Sequence, residues 1–161
     1  MSVQIREGDP APVWELPIDG GGMIGTLGLS GRPYVLYLYP KDDTPGCTKE
    51  AIGFTAAYDE FRKLGVEVIG LSKDSVTSHA RFKQKHGLCF ALASDEGGGV
   101  IEALGAWVEK SNYGWKYMGI DRATFLVVGD GRIARAWRGV KVPGHVDEVL
   151  AAARALVQRA E

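Results

Sequence analysis

The chain is expected to fold as an α/β domain with a central mixed sheet flanked by helices. Three observations predict this. The run Tyr34-Val35-Leu36-Tyr37-Leu38-Tyr39 is almost uninterrupted apolar and aromatic residues, as in a strand covered on both faces. Strand-like and helix-like segments then alternate through residues 45–93, the pattern of parallel strands joined by helical crossovers. Finally, two β-patterned segments, 124–128 and 132–138, flank Gly129-Asp130-Gly131, which marks a hairpin.

The elements follow in order. Residues 13–16 and 23–26 are expected to form an N-terminal hairpin across Gly20-Gly21-Gly22. The central strand covers 34–39. A helix then starts at Pro45 with Thr44 as N-cap, since a first-turn proline gives up an N–H that would be unpaired anyway. Its apolar positions Ala51, Phe54, Tyr58, Phe61 and Leu64 fall in steps of three and four, one buried stripe, and Gly65 stops it. Residues 66–71 form the next strand, and 75–86 a helix closed by Gly87. Residues 90–93 form a short strand, Gly97-Gly98-Gly99 a turn, and 100–104 a short helix. After the 124–138 hairpin, residues 145–159 form a closing helix. Asp147 and Glu148 stand at its start and Arg154 and Arg159 toward its end, which suits the helix dipole. No internal repeat or linker is visible, so residues 1–161 read as a single domain.

Composition narrows the function classes. Apolar residues make up 45% and charged residues 24%, the balance of a water-soluble domain able to bury a core. The formal net charge of −1 gives no electrostatic case for nucleic acid or an anionic membrane. Two cysteines in 161 residues do not make a disulfide scaffold. Residues 1–7 lack the apolar centre of a signal peptide, and no apolar stretch reaches membrane-spanning length. A reducing cytoplasm is the expected setting.

The most informative stretch is Tyr39-Pro40-Lys41-Asp42-Asp43-Thr44-Pro45-Gly46-Cys47-Thr48-Lys49-Glu50. It places Cys47 at the third helical position, directly after a central strand. Open α/β sheets usually carry their sites at this end of the strands. Gly46 leaves the approach to the sulfur open. The sulfur is expected among unpaired backbone N–H groups at the positive end of the helix dipole. That setting favours thiolate, the nucleophilic form, of which an ordinary thiol holds only about 3% at pH 7. A cation nearby would add to the effect, and arginine suits the task because it stays charged and presents a planar fork of donors. Arg122, read alone, would pair with Asp121 or Glu109 on the surface. The Thr44 hydroxyl can accept from the first helical turn while donating to the sulfur or a substrate. Glu50 is expected to be a solvated carboxylate offsetting the dipole, close to the site but outside its chemistry.

Residues 40–47 read Pro-x-x-x-Thr-x-x-Cys. This resembles the active-site motif of the peroxiredoxins, and the longer run resembles their Q-type subgroup, also called bacterioferritin comigratory protein. Gly8-Asp9-Pro10-Ala11-Pro12, the segment from Tyr117 through Arg122 to Leu126, and Lys141-Val142-Pro143-Gly144-His145 extend the likeness over nearly the whole chain. The resemblance implies a thioredoxin-like fold and a thiol peroxidase that reduces hydrogen peroxide and organic hydroperoxides through a sulfenic acid. By the same resemblance Cys47 attacks the O–O bond, Thr44 and Arg122 hold the peroxide oxygens, and Pro40 shields the pocket. The implied reductant is thioredoxin, glutaredoxin or a small thiol. No cofactor is implied, and the protein is expected to be a monomer or weak homodimer.

Many Q-type members have a second, resolving cysteine five residues after the first. Here that position is Ile52, and the other cysteine is Cys89. Cys89 precedes the 90–93 strand. If that strand runs parallel to 34–39, Cys89 lies at the sheet end away from Cys47. Cys89 is a possible resolving cysteine only through local unfolding; it is expected to be a core-facing small apolar residue, and an external thiol to resolve Cys47. His79, His86 and His145 show no zinc spacing with the cysteines, so no metal is expected. A Cys–His hydrolase would need a histidine beside Cys47, and the expected topology places none there. The lack of Cys-x-x-Cys speaks against a thiol–disulfide oxidoreductase. The alternative from another class is a non-catalytic redox-sensing or binding module on the same scaffold.

Overall fold

The computed structural model describes residues 5–160, with the side chain of Ala160 left out, so part of the signal-peptide expectation lies outside the described residues. The central sheet has five strands. In chain order they are β3 (Tyr34–Leu38), β4 (Glu67–Ser72), β5 (Ala91–Ser94), β8 (Ala123–Val127) and β9 (Ile133–Trp137), arranged β5-β4-β3-β8-β9. β3, β4 and β5 are parallel, and β8 runs antiparallel to β3 with Tyr37 opposite Thr124. The mixed sheet and the central place of β3 agree with the sequence. Every residue of β3 and β8 is buried, which explains why neither alternates in polarity.

The sheet separates two apolar layers. On one side Val35, Tyr37 and Tyr39 pack with Phe54 and Phe61 of α1 (Pro45–Lys63), Phe82 of α2 (Val76–His86) and Val149 of α4 (His145–Ala160). Tyr37 stacks on Phe54 with ring centroids 4.6 Å apart. On the other side Leu36, Leu38, Ile69, Leu71 and Phe125 pack with Trp14 and Leu16, and with Ile101 of α3 (Gly99–Ala103). There the N-terminal hairpin, β1 (Glu15–Pro17) and β2 (Met23–Gly25), covers the sheet in the register Leu16 to Ile24. Of the expected α1 stripe, Ala51, Phe54 and Phe61 are fully buried. Truncating one such phenylalanine to alanine typically costs about 3–5 kcal/mol.

The helix stops act as expected. Gly65 follows α1 at φ 75°, and Gly87 ends α2 in the left-handed region at φ 65°. Ser75 caps α2, its hydroxyl accepting from the Ser78 N–H at 3.1 Å.

One pair of strands has no counterpart in the sequence reading. β6 (Trp107–Asn112) and β7 (Trp115–Ile120) form a separate antiparallel hairpin whose far end is exposed. Its turn is Tyr113 and Gly114, both at positive φ (51° and 82°), the backbone of a tight two-residue hairpin turn. Exposed aromatic residues blur the polar alternation that would have marked these strands. β7 leads directly into Arg122.

Candidate active site

β3 delivers the chain to the loop 40–44, and α1 begins at Pro45. Thr44 has the extended backbone of an N-cap, φ −93° and ψ 155°. Its hydroxyl, however, does not accept from the first turn. It donates to the Lys41 carbonyl at 2.8 Å. The reason is local: Asp43 takes φ 60°, and the loop bends so that the Thr44 hydroxyl closes it. The Thr44 side chain therefore does not cap the first N–H groups of α1, which leaves them around Cys47 without that partner.

Cys47 lies on the inner face of α1 and is only 1% exposed. Arg122 reaches it from the β7–β8 junction. One guanidinium nitrogen, Nη2, stands 3.4 Å from Sγ, and Nη1 donates to Glu50 Oε1 at 2.7 Å. The fork thus joins the sulfur to a carboxylate, rather than pairing with Asp121 or Glu109. Gly46 permits the approach: a Cβ there would stand 3.3 Å from Nη2 and press on the guanidinium. Burial pulls the Arg122 pKa down, but Glu50 and Cys47 outweigh it and raise it above its ordinary value.

Glu50 corrects the sequence expectation most sharply. It is fully buried rather than solvated. Oε1 accepts from Arg122, while Oε2 has no partner among the described residues. Burial lifts its carboxyl from an ordinary 4.5 to about 7, with Arg122 pulling the other way. The signal was present: Cys47 and Glu50 stand three residues apart, hence on one face of a helix. A buried face at one carried the other inward.

Pro40 and Thr44, which lead into the helix that carries Cys47, are both half-buried. Thr124 Oγ1 and His145 Nε2 lie 2.8 Å apart, both residues buried. Burial lowers the His145 pKa, and Arg122 adds to that. Among the described residues no histidine bonds Cys47.

Cys89 does not behave as expected. It is exposed rather than core-facing. Its neighbours Leu88 and Phe90 take the buried positions, so Cys89 points out along α1, with its thiol donating to the Thr55 carbonyl at 3.9 Å. The parallel arrangement of β3, β4 and β5 does place it at the sheet end away from Cys47. Ile52, at the usual resolving position, is 47% exposed. No described helix is long and apolar enough to cross a membrane.

Residues 7–136 match the AhpC/TSA family. The chain is 49% identical over 150 residues to a putative peroxiredoxin Bcp of Coxiella burnetii, covering 93% of this chain and 98% of that one. It is 44% identical to the peroxiredoxin Bcp of Bacillus subtilis, over 93% of this chain and 94% of the relative. Among solved structures it superposes on a variant of PrxQ from Xylella fastidiosa with a TM-score of 0.91, at 36% identity over 99% of both chains. A Xanthomonas campestris bacterioferritin comigratory protein, studied for alkyl peroxide reduction, gives a TM-score of 0.86 at 42% identity, over 89% of this chain and 92% of that one. These neighbours have the thioredoxin-like fold, and with them the enzyme reading prevails over the non-catalytic module. The chain belongs to the AhpC/TSA family, within the peroxiredoxins, and is a thiol peroxidase that reduces a peroxide at the expense of a thiol.

Proposed function

We propose that Cys47 is the attacking sulfur and that its thiolate takes the terminal oxygen of hydrogen peroxide or an organic hydroperoxide. An S–O bond forms as the O–O bond breaks. Sulfur is oxidised to the sulfenic acid by two electrons. The leaving alkoxide or hydroxide takes up a proton and departs as alcohol or water. The observation that carries this reading is the Arg122 fork, 3.4 Å from Sγ on one arm and anchored by Glu50 on the other. A guanidinium held in this way can stabilise the thiolate and then the charge moving onto the leaving oxygen. Thr44 and Pro40 shape the mouth, and the uncapped N–H groups of α1 favour negative charge there.

The sulfenic acid is then reduced by an external thiol. The first thiol forms a mixed disulfide with Cys47 and releases water, and a second thiol frees Cys47. Thioredoxin, glutaredoxin or a small thiol fits this role, in the cytoplasm, with the enzyme a monomer or weak homodimer. The exposure of Cys89 at the far end of the sheet supports an external partner over an internal disulfide. Intact-mass analysis after one equivalent of hydrogen peroxide tests the scheme. A gain of one oxygen on Cys47 is expected, and an unmodified Cys47 would overturn it.

A further inference from the structure

Asp42 and His79 are 7% and 0% exposed, yet the chemistry above uses neither. Asp42 lies in the loop between Pro40 and Thr44, and His79 on α2. His79 Nδ1 is 2.7 Å from Asp42 Oδ2, and Nε2 is 2.9 Å from the Ala93 carbonyl. A carbonyl only accepts, so Nε2 donates to it. Asp42 also accepts from the Tyr39 hydroxyl at 2.6 Å and the Ser78 hydroxyl at 2.8 Å. Burial holds the Tyr39 hydroxyl in its protonated form, as a donor. With these hydroxyl donors on both carboxylate oxygens and the His79 ring beside Oδ2, Asp42 is held to Tyr39 and to α2 at once.

The loop backbone is tied as well, the Asp42 N–H donating to Asp74 Oδ2 at 2.9 Å. The next residue, Asp43, holds its positive φ while its carboxylate accepts from Lys85 Nζ at 2.7 Å and pairs with His86 Nε2 at 2.8 Å. The loop is therefore pinned to α2 by two consecutive carboxylates, one buried and one at the surface. Asp42, Asp74 and His79 have ligand atoms within 4.8 Å of one another, but each already bonds protein partners.

We propose that the buried Asp42–His79 pair positions the 40–44 loop, so that α2 holds Pro40 and Thr44 in place for the attack of Cys47 on peroxide. The proposal rests on the peroxidase reading of Cys47 and adds two positioning residues to it. It separates two reactions of one sulfur. Attack on peroxide needs Thr44 and Pro40 correctly placed. Alkylation by iodoacetamide needs only a reactive, accessible thiolate.

The test compares both rates in the full-length wild type, Asp42→Asn and His79→Gln. The peroxide rate constant is expected to fall about ten- to a hundredfold in folded variants, the range for ångström-scale misplacement, while alkylation stays as in wild type. Unchanged rates, or a parallel fall in both, would overturn the proposal, because a merely structural role moves no ratio. If these variants do not fold, Ser78→Ala decides, since it removes the hydroxyl that holds Asp42 Oδ2 in place against His79 and so loosens the pair without deleting either member. A peroxide rate that falls while alkylation holds supports the proposal, and an unchanged ratio overturns it. A wild-type Cys47 that peroxide does not oxidise would instead sink the peroxidase reading beneath it.

Discussion

The two cysteines of this chain differ in the opposite sense to their accessibility. Cys47 is almost completely buried, yet a guanidinium nitrogen stands 3.4 Å from its sulfur at a helix N-terminus. Cys89 is exposed, yet its sulfur meets a backbone carbonyl. Its pKa is raised, first by partial desolvation against α1, with Asp59 adding to the effect. Charge and dipole around the sulfur, more than exposure, decide which thiol becomes a nucleophile. Exposure decides only which thiol a large partner reaches first.

The largest expected effect breaks the comparison outright. Cys47→Ser is expected to abolish peroxide consumption in a folded protein, measured by loss of hydrogen peroxide with excess dithiol. Activity retained in that variant would reassign the attacking sulfur. Next in size is Arg122→Met. Losing a preorganised donor at developing charge typically costs about 10²–10³ in rate, and a fall of that order is expected for oxidation of Cys47 at neutral pH. Cys89 is the internal control, because its alkylation rate should not change. If Cys47 oxidises at the wild-type rate without Arg122, the fork is a structural ion pair.

Much of this contrast is legible in the sequence. The buried strand, the proline–glycine start of α1 and Cys47 at its third position come from local rules of burial and capping. Thr44, Arg122 and Pro40 come from the family resemblance, and of these Arg122 stands against the Cys47 sulfur. What is not legible depends on side-chain direction and loop bending. The Thr44 hydroxyl turns to Lys41 because Asp43 takes a left-handed backbone, which no pattern of residue types announces. Cys89 reads as core-facing because a residue just before a buried strand can face either way. Leu88 and Phe90 claim the core and turn it out. Glu50 reads as solvated because carboxylates are rarely buried unless paired, and its partner lies 72 residues away along the chain.

That buried carboxylate yields the next prediction. Glu50 sits near 7 in the fold against an ordinary 4.5, so the folded protein binds the extra proton between those values. A raised carboxyl adds stability that is fully present below its unfolded pKa and is lost as pH rises through the folded value. Wild type is therefore expected to lose on the order of 3 kcal/mol relative to Glu50→Gln between about pH 4.5 and 8. The amide in that variant would keep an oxygen facing Arg122 without the charge. Denaturant unfolding of both proteins at several pH values measures this, and parallel curves would show that the buried carboxylate stays ionised throughout.

The smallest expected effect concerns Cys89. Its sulfur meets Thr55, which lies eight residues along α1 from Cys47, about 12 Å of helix rise. A disulfide needs Cα atoms within about 7 Å. Joining the sulfurs would mean unwinding the start of α1 or lifting out the segment that carries Cys89. That segment holds Leu88 and Phe90, which are 5% and 1% exposed, and withdrawing each costs about 1.5–3 kcal/mol. An external thiol needs only the mouth of the site to open around one sulfur. Cys89→Ser is accordingly expected to turn over at the wild-type rate with a dithiol reductant, and with thioredoxin as well. The contrary outcome is a Cys47–Cys89 peptide in wild type at stoichiometric peroxide, together with loss of thioredoxin-supported turnover in Cys89→Ser. Those two results would mean that oxidation at Cys47 drives this end of the fold apart, and that the exposed sulfur is the second half of the catalytic cycle.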